Sequence, residues 1–450
     1  MVNLNNTNGH LKLASAAPPD TNSTSAHLRN RTTANGPLSV AVIFGTRPEL
    51  IKLWPVIERL KADASFRPIV ISTSQHREMI DDLLELFAVR LDYDLNIIQP
   101  KQSLAEITTR CLTGIEPILQ QHQPDLVLVQ GDTTTALTGA LAAFYRRIPV
   151  AHVEAGLRSF DKDQPFPEEM NRRLISSLAE LHFAPTAQNA DNLLREGIAD
   201  SNVFVTGNTV IDSLLEIAKR PANLMPYLPA QALEAQHLIL VTAHRRENHG
   251  AALENLCLGL LDLVQARMEV HIVYPVHLNP NVRDTVQRCL SGHERIHLIT
   301  PVPYAAFVQI MLRSHFIITD SGGIQEEGPA LGRPVLVFRN ETERPEAVAM
   351  GVAKMIGTSR ENVVRQASRL LDQPFLYRMM AGGQSPYGDG AAANRIKQAL
   401  LHYFKEEARP EDFAIRRMNG EARRILGLHA TVKSSPLFGE SNHNHNSLAA

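Results

Sequence analysis

A short apolar run followed by a turn and an amphipathic helix recurs along this chain and constrains its fold more than any other feature. The run LSVAVIFG precedes TRPELIKLWPVIERL, in which apolar residues recur at helical spacing. Similar runs, most of them followed by helical patterns, are PIVISTS, DLVLVQGD, IPVAHVEA, NVFVTGN, HLILVTAHRREN, VHIVYPV, RIHLIT, HFIITD and PVLVF. Strands this uniformly apolar are typical of a parallel sheet covered by helices on both faces.

The number of these units, spread over 450 residues, favours two domains over one. We predict two doubly wound, Rossmann-like α/β domains that face each other across a cleft, one at 38–205 and one at 206–385, followed by helices at 386–424. The segments 1–37 and 425–450 are rich in polar residues and lack an apolar period. We predict that both are disordered.

Composition argues against several classes of partner. The 45 basic and 47 acidic residues leave a formal charge of −2, so the global basic field of a nucleic-acid-binding protein is absent. The chain contains no apolar run long enough to span a bilayer and no signal-peptide pattern at its start. Its three scattered cysteines fit a reducing compartment. We therefore expect a cytoplasmic protein that binds neither nucleic acid nor membrane.

The end of the first predicted strand carries a candidate phosphate site, because ligands of doubly wound sheets lie beyond the carboxyl ends of the strands. Gly45 permits a tight turn there, and Pro48 suits the start of the next helix. Arg47 and, one turn on, Lys52 then lie near a helix N-terminus, where phosphate binds well. An ordinary turn with a surface arginine is the alternative.

A second candidate phosphate site follows the strand HFIITD. Ser321-Gly322-Gly323 would let the backbone approach a ligand closely, with N–H groups that open a helix. Glu327, one turn further, is placed to accept hydrogen bonds from ribose hydroxyls, and Arg344 adds a cation near the same edge. Packing of the two glycines is the alternative.

Two carboxylates end consecutive strands. Asp132 follows the most apolar run, and Glu154 ends IPVAHVEA. If the strands are neighbours, both side chains enter one cleft, where like charges separate their pKa values and allow one group to act as acid and the other as base. Capping of the next helix is the alternative role for Asp132, although one of the threonines at 133–135 can serve as that cap.

Histidines also follow strands of the second series. His244 is followed by Arg245 and Arg246, a combination that favours an anionic ligand, and His277 follows VHIVYPV. No pair of these histidines has the spacing of zinc ligands with a carboxylate base, so we predict no metal site.

The motifs of the chain, taken together, resemble those of the bacterial non-hydrolysing UDP-N-acetylglucosamine 2-epimerases. They occur in order across about 40–400 as GTRPELIKL, SQHREM, GDTTTAL, HVEAGLRS, PFPEEMNRR, TGNTVIDSL, TAHRREN, YPVHLNPNV, TDSGGIQEEGPALGRPVLV, TERPEA and PYGDGAAANRI. The resemblance implies a GT-B-like fold with a UDP-sugar between the domains, a final helix from about Ala391 that returns to the first domain, a homodimer, and no required cofactor.

The resemblance also implies a reaction and a set of roles. UDP-GlcNAc and UDP-ManNAc would interconvert by elimination of UDP to a bound 2-acetamidoglucal and re-addition, supplying ManNAc-derived sugars for surface polysaccharides. The implied catalytic residues are Asp132, Glu154, Glu168 and His244. The implied substrate-binding residues are Arg47, Lys52, Ser321, Gly322, Gly323, Glu327 and Arg344. The sequence leaves open which carboxylate removes the proton in each direction.

A second site for an activating UDP-GlcNAc occurs in some family members. The matching positions here are Gln75, His76, Arg110, Glu169, Arg245 and His277. The chain departs from the pattern at Glu78, where at least some relatives carry Gln.

Three other functions remain open at the level of sequence. A hydrolysing 2-epimerase would release free ManNAc and UDP. A retaining glycosyltransferase would share the UDP cradle but needs an acceptor cleft. An inactive UDP-sugar sensor would be expected to lose a carboxylate, and Asp132, Glu154 and Glu168 are all present.

Overall fold

The computed structural model of the protein describes residues 36–74, 77–99 and 102–414. The predicted disordered tail at 425–450, and all but the last two residues of the predicted extension at 1–37, lie outside this part of the chain. Within the described ranges, no helix combines the length and apolar character required to cross a membrane.

The first sheet has seven parallel strands and occupies the N-terminal half of the chain. Its strands are β1 Leu38–Phe44, β2 Phe66–Ser72, β3 Tyr93–Asp94, β4 Leu126–Gln130, β5 Val150–Val153, β6 Leu181–Ala184 and β7 Val203–Val205. Their order is β3-β2-β1-β4-β5-β6-β7. The helices of this half are α1 Arg47–Lys61, α2 Arg77–Phe87, α3 Leu104–His122, α4 Thr134–Tyr145, α5 Glu168–Leu178 and α6 Ala187–Arg195.

The second sheet has six parallel strands. They are β8 His237–Thr242, β9 Val270–Pro275, β10 Ile296–Ile299, β11 Phe316–Thr319, β12 Val335–Val337 and β13 Ala353–Met355, in the order β10-β9-β8-β11-β12-β13. The remaining helices are α7 Thr209–Ala218, α8 Ala230–Glu234, α9 Ala251–Ala266, α10 Pro280–Leu290, α11 Tyr304–Arg313, α12 Gly322–Ala330, α13 Pro345–Ala349, α14 Arg360–Asp372, α15 Pro374–Ala381 and α16 Ala392–Lys405.

The fold class predicted from the apolar runs, two doubly wound α/β domains, is confirmed. Each sheet reverses its strand order once, between β1 and β4 in the first sheet and between β8 and β11 in the second. Ligands of such sheets bind at this reversal, beyond the carboxyl ends of the strands. All four of these strand ends carry residues singled out by sequence, so the fold places the candidate residues where a ligand is expected.

Helix α7 joins the two halves. It packs against α1 and α16 on one side and against α11 and α12 on the other. Asp212 of α7 accepts hydrogen bonds from the backbone N–H groups of Ala392 and Ala393, at 3.2 and 2.9 Å, and so holds the N-terminus of α16. The final helix therefore packs onto the first domain after the chain has completed the second.

The chain passes between the two domains near residues 207–208 and again near 387–388, and these two segments contact each other. The backbone N–H of Asn208 donates to the carbonyl of Tyr387 at 2.6 Å. Gly207 has φ +84°, and a Cβ added there would lie 3.2 Å from the Cα of Gly388. The crossing therefore needs glycine both for its backbone conformation and for the close approach of the two segments.

We predict that Gly207→Ala destabilises the protein more than Gly197→Ala. Both glycines have positive φ, but a Cβ at Gly197 meets no atom within 4 Å. The two variants therefore share the backbone strain, and only Gly207→Ala adds crowding, which we expect to lower the free energy of unfolding by about 1–3 kcal/mol more. Urea denaturation measures the difference, and equal losses in the two variants would contradict this account of the crossing.

Candidate active site

Glu154 directly follows β5 and is held in a strained backbone conformation. Its φ is +64°, in the left-handed region that residues other than glycine rarely adopt. The residue is 8% exposed. Its carboxylate accepts hydrogen bonds from Lys52 Nζ at 2.6 and 2.7 Å, from Asn208 Nδ2 at 3.0 Å, and from the side-chain amide of Gln130. Three donors thus fix one carboxylate in one orientation.

The Lys52–Glu154 pair is charged. Burial raises the pKa of Glu154, but the charge and hydrogen bonds of Lys52, with further contributions from Arg344 and Asn208, more than offset it and hold that pKa below its usual value. Burial lowers the pKa of Lys52, and Glu154 with Glu326 more than reverses this effect. Both partners therefore shift toward their ionised forms.

Asp132 lies beside Glu154 because β4 and β5 are adjacent in the sheet. Thr133 caps α4, because its hydroxyl accepts from the N–H of Ala136 at 3.0 Å. The carboxylate of Asp132 is therefore not needed as the cap, and it pairs with Arg172. Burial raises the pKa of Asp132; Arg172 opposes this and Glu154 adds to it. The environment thus shifts the pKa values of the two carboxylates in opposite directions, which suits acid–base chemistry.

The third predicted carboxylate, Glu168, is the partly exposed first residue of α5. The contacts from α5 to Asp132 come from Asn171, whose Nδ2 donates to the Asp132 carbonyl at 2.9 Å, and from Arg172. The adjacent Glu169 is fully buried and binds the chain itself, accepting from the N–H of Ser159 at 2.9 Å. The catalytic role of Glu168 stays a prediction.

Asp320 organises the strand ends of the second sheet. Its buried carboxylate accepts from the backbone N–H groups of His244, at 3.1 and 3.0 Å, and of Arg245, at 2.9 Å. The His244 ring stacks on His277 with centroids 5.2 Å apart. Burial lowers the pKa of His244; Asp320 opposes this and His277 reinforces it. His244 is therefore neutral near pH 7 and can donate a hydrogen bond without carrying a charge.

The N-terminus of α12 opens beside His244. Ser321 is its N-cap and Gly322 its first residue. A Cβ at Gly322 would lie 3.1 Å from Glu343 Oε1 and 3.4 Å from Arg245 Nη2, two groups that pair with each other at 2.5 Å. Glycine therefore leaves room at this helix end, whose N–H groups and dipole suit an anion, and the Arg245–Glu343 pair lies directly beside it.

Charged residues of the second domain face α1 across the cleft. Arg344 Nε pairs with Glu326 Oε1 at 2.5 Å. Burial and Glu326 raise the pKa of Glu327 to about 7, with Lys52 and Arg47 opposing the rise. A cavity of about 290 Å³ borders Glu326 and Arg344 and is lined by residues of both domains. The Glu326–Arg344 pair thus borders a space large enough for a sugar.

The predicted second site is only partly brought together. Arg245 and His277 lie close to His244. Arg110 lies on α3 and donates to the carbonyl of Ile97 at 3.4 Å. Gln75 and His76 lie outside the described residues, so that site stays a prediction. Across the described ranges, no group of three or more His, Cys, Asp or Glu side chains is arranged to hold a metal ion.

The sequence did not identify several residues that contact the candidate carboxylates or their partners. Arg172 pairs with Asp132, Gln130 and Asn208 bind Glu154, and Glu326 binds both Asn208 and Arg344. Gln130 and Glu326 each lie within two residues of a predicted site residue. Asn208 lies at the predicted domain boundary and within the motif TGNTVIDSL, and these two signals could have pointed to it.

A family model for UDP-N-acetylglucosamine 2-epimerase matches residues 58–401 of the chain. The chain belongs to this family. It is 50% identical over 375 residues to a probable UDP-N-acetylglucosamine 2-epimerase of Ralstonia solanacearum, covering 81% of this chain and 99% of that protein. It is 49% identical over 373 residues to the UDP-N-acetylglucosamine 2-epimerase of Escherichia coli K12, covering 81% and 98%.

Solved structures show the same relationship. The UDP-GlcNAc 2-epimerase of Neisseria meningitidis, bound to UDP-GlcNAc, superposes with a TM-score of 0.72 at 47% identity, covering 81% of this chain and 100% of that one. A glycosyltransferase of kitacinnamycin, at 13% identity, covers 81% of this chain and 99% of its own with a TM-score of 0.54 and shares the fold alone. The epimerase family and the GT-B-like fold implied by the motifs are both confirmed.

Glu49 connects the loop after β1 to the loop after β4. Its Oε2 accepts from the N–H groups of Gly45 and Thr46, at 3.0 and 2.8 Å, and its Oε1 accepts from the hydroxyl of Thr133 at 2.7 Å. The residue is 1% exposed. Burial raises its pKa to about 7, although these hydrogen bonds oppose the rise.

We predict that Glu49→Gln becomes more stable relative to wild type as the pH rises from 4.5 to above 7. The folded-state pKa is above the ordinary value of 4.5, so the native protein binds this proton more tightly than the unfolded chain. Wild type therefore loses stability over this window, by up to about 3 kcal/mol, and glutamine does not. Urea denaturation at several pH values measures this difference.

Glu58→Gln is the matched control, because Glu58 is exposed on the same helix. The difference in the free energy of unfolding between Glu58→Gln and wild type should change little with pH. If the corresponding difference for Glu49→Gln also stayed constant with pH, the raised pKa of Glu49 would be contradicted.

Proposed function

We propose that the protein is a non-hydrolysing UDP-N-acetylglucosamine 2-epimerase. It interconverts UDP-GlcNAc and UDP-ManNAc by eliminating UDP to a bound 2-acetamidoglucal and adding it back, and so supplies ManNAc-derived sugars for surface polysaccharides. The observation that carries the proposal is the adjacent pair of Asp132 and Glu154, with pKa values shifted in opposite directions, opposite a helix N-terminus suited to a diphosphate. Membership of the epimerase family supports it.

The chemistry explains why such a site is needed. The C2–H bond is not adjacent to a carbonyl group, so its proton becomes acidic only as the anomeric C1–O bond breaks and positive charge develops at C1. The electron pair of the C2–H bond then forms the C1=C2 double bond, and UDP leaves with the electrons of the C1–O bond. The enzyme must therefore bind the departing diphosphate and handle the C2 proton in the same step.

Binding of the diphosphate falls to cations and to backbone donors. Arg47 comes from the start of α1, and the helix dipole and N–H groups come from Ser321 to Gly323 at the start of α12. The neutral His244 can donate a hydrogen bond to a phosphate oxygen. Glu327, with its pKa raised to about 7, can bond to ribose hydroxyls as acceptor or donor.

Inversion requires a proton to leave one face of C2 and another to arrive on the opposite face, so two groups must act. Asp132, with a raised pKa, is suited to one transfer, because an acid–base group works best near the operating pH. Glu168, the partly exposed first residue of α5, is the candidate for the other. Glu154, held ionised by Lys52, is suited to stabilise the positive charge that develops at C1.

Incubation with UDP-GlcNAc in D2O, followed by NMR of the sugar nucleotides, tests this function. We expect UDP-ManNAc that carries deuterium at C2. Asp132→Asn and Glu154→Gln should each lower turnover by at least about a hundredfold, because one removes proton transfer and the other removes a charge aimed at C1. Asp163→Asn is the matched control, since Asp163 is exposed in the loop between β5 and α5.

The other outcomes are specific. Free ManNAc would identify a hydrolysing epimerase, transfer of the sugar to an acceptor would identify a glycosyltransferase, and binding of UDP without exchange would identify a sensor. Near-normal turnover in both carboxylate variants would contradict the assignment of the site. The homodimer, the activating UDP-GlcNAc and the cytoplasmic location stay predictions.

A further inference from the structure

We propose that Asn208 is a positioning residue that couples closure of the two domains to the charge and orientation of Glu154. The inference rests on the proposed function, because it assigns a role in setting up the same site. It concerns a residue that lies on neither sheet and follows no strand end directly.

The position of Asn208 is fixed by its own backbone and by α7. The residue is 3% exposed at the crossing between the domains, where its N–H donates to the Tyr387 carbonyl at 2.6 Å. Its Oδ1 accepts from the N–H of Val210 at 3.2 Å and caps α7. With the oxygen used in this way, the amide nitrogen Nδ2 faces the cleft.

Nδ2 donates to one carboxylate from each domain. Glu154 Oε1, from the first domain, accepts at 3.0 Å, and Glu326 Oε2, from α12 of the second, accepts at 2.8 Å. An amide nitrogen has two protons, and both are used here. The second bond exists only while α12 lies against the crossing segment, so the complete arrangement requires the domains to be closed.

The charges around this amide are balanced in pairs. Lys52 neutralises Glu154 within the first domain, and Arg344 neutralises Glu326 within the second. Arg344 also lowers the pKa of Glu154, while Glu154 raises the pKa of Glu326. Five charged or titratable groups face Glu154, from α1, the loop after β4, β5, α12 and the residue before α13: Lys52, Asp132, His152, Glu326 and Arg344.

Asparagine suits this position for a chemical reason. Two buried carboxylates that share one contact need a donor between them, because without one their charges repel and each would leave lone pairs unsatisfied. Aspartate has nearly the same shape but would add a third negative charge and no donor. The amide therefore lets the two domains close around Glu154 while that carboxylate stays ionised.

The test compares Asn208→Asp with Glu326→Gln. Asn208→Asp replaces the donor by a negative charge, so the acidic limb of the pH profile of kcat should move to higher pH by about one unit or more, and kcat should fall at least about tenfold. Glu326→Gln removes a like charge from the same contact, so the acidic limb should move to lower pH. Loss of packing alone would not move the two profiles in opposite directions.

Asn223→Asp is the matched control. Asn223 is exposed, and its Oδ1 accepts from the N–H of Met225 at 3.0 Å, a bond that aspartate keeps. Asn223→Asp makes the same replacement of an amide by a carboxylate, and it should leave the pH profile of kcat unchanged from wild type.

Small-angle X-ray scattering supplies a readout that does not depend on activity. Three carboxylates at one contact repel, so the radius of gyration of Asn208→Asp should exceed that of wild type and of Asn223→Asp. Scattering curves that superimpose, or pH profiles that do not separate, would overturn the coupling. If wild type fails to convert UDP-GlcNAc, the proposed function fails, and the scattering still decides whether Asn208 couples the domains.

Discussion

The ion pair between Lys52 and Glu154 places two charges inside the protein, and the rest of the site is built around it. Burial alone would raise the pKa of Glu154, and a backbone in the left-handed region adds strain. Lys52, with Arg344 and Asn208, outweighs the effect of burial on this pKa, and Lys52, Gln130 and Asn208 hold the carboxylate in place by hydrogen bonds. Removing one partner of such a pair leaves an uncompensated buried charge, which typically costs about 3–5 kcal/mol. The site is therefore stable only when its members are present together.

The two sheets contribute different parts of the chemistry. The first supplies Asp132 and Glu154 from adjacent strands, and the second supplies His244 and the N-terminus of α12 from its own adjacent strands, β8 and β11. Both sets lie beyond the carboxyl ends of their strands, so the acid–base groups come from one domain and the N-terminus of α12 comes from the other. Asn208, at the crossing between the domains, contacts Glu154 of the first domain and Glu326, within α12 of the second. Closure of the domains and assembly of the site are therefore one event.

The sequence predicted the fold because strands that are buried on both faces of a parallel sheet consist mostly of apolar residues. It missed β6, whose LHFA contains the buried His182, and the short strands β3 and β13, which give little periodic signal. It identified the strand-end residues from the rule that ligands bind there. It did not identify the role of Asn208 or Glu326, because their contacts join residues far apart in the chain and no local spacing records them.

The ionisation of Glu154 in the wild-type protein tests the central claim most directly. Infrared difference spectroscopy of wild type against Glu154→Gln isolates the signal of this single carboxylate during a pH titration. The account predicts that the midpoint of the Glu154 titration lies below 4.5, the ordinary pKa of a glutamate. Protonation of Glu154 near neutral pH would show that burial outweighs Lys52, and would contradict the account.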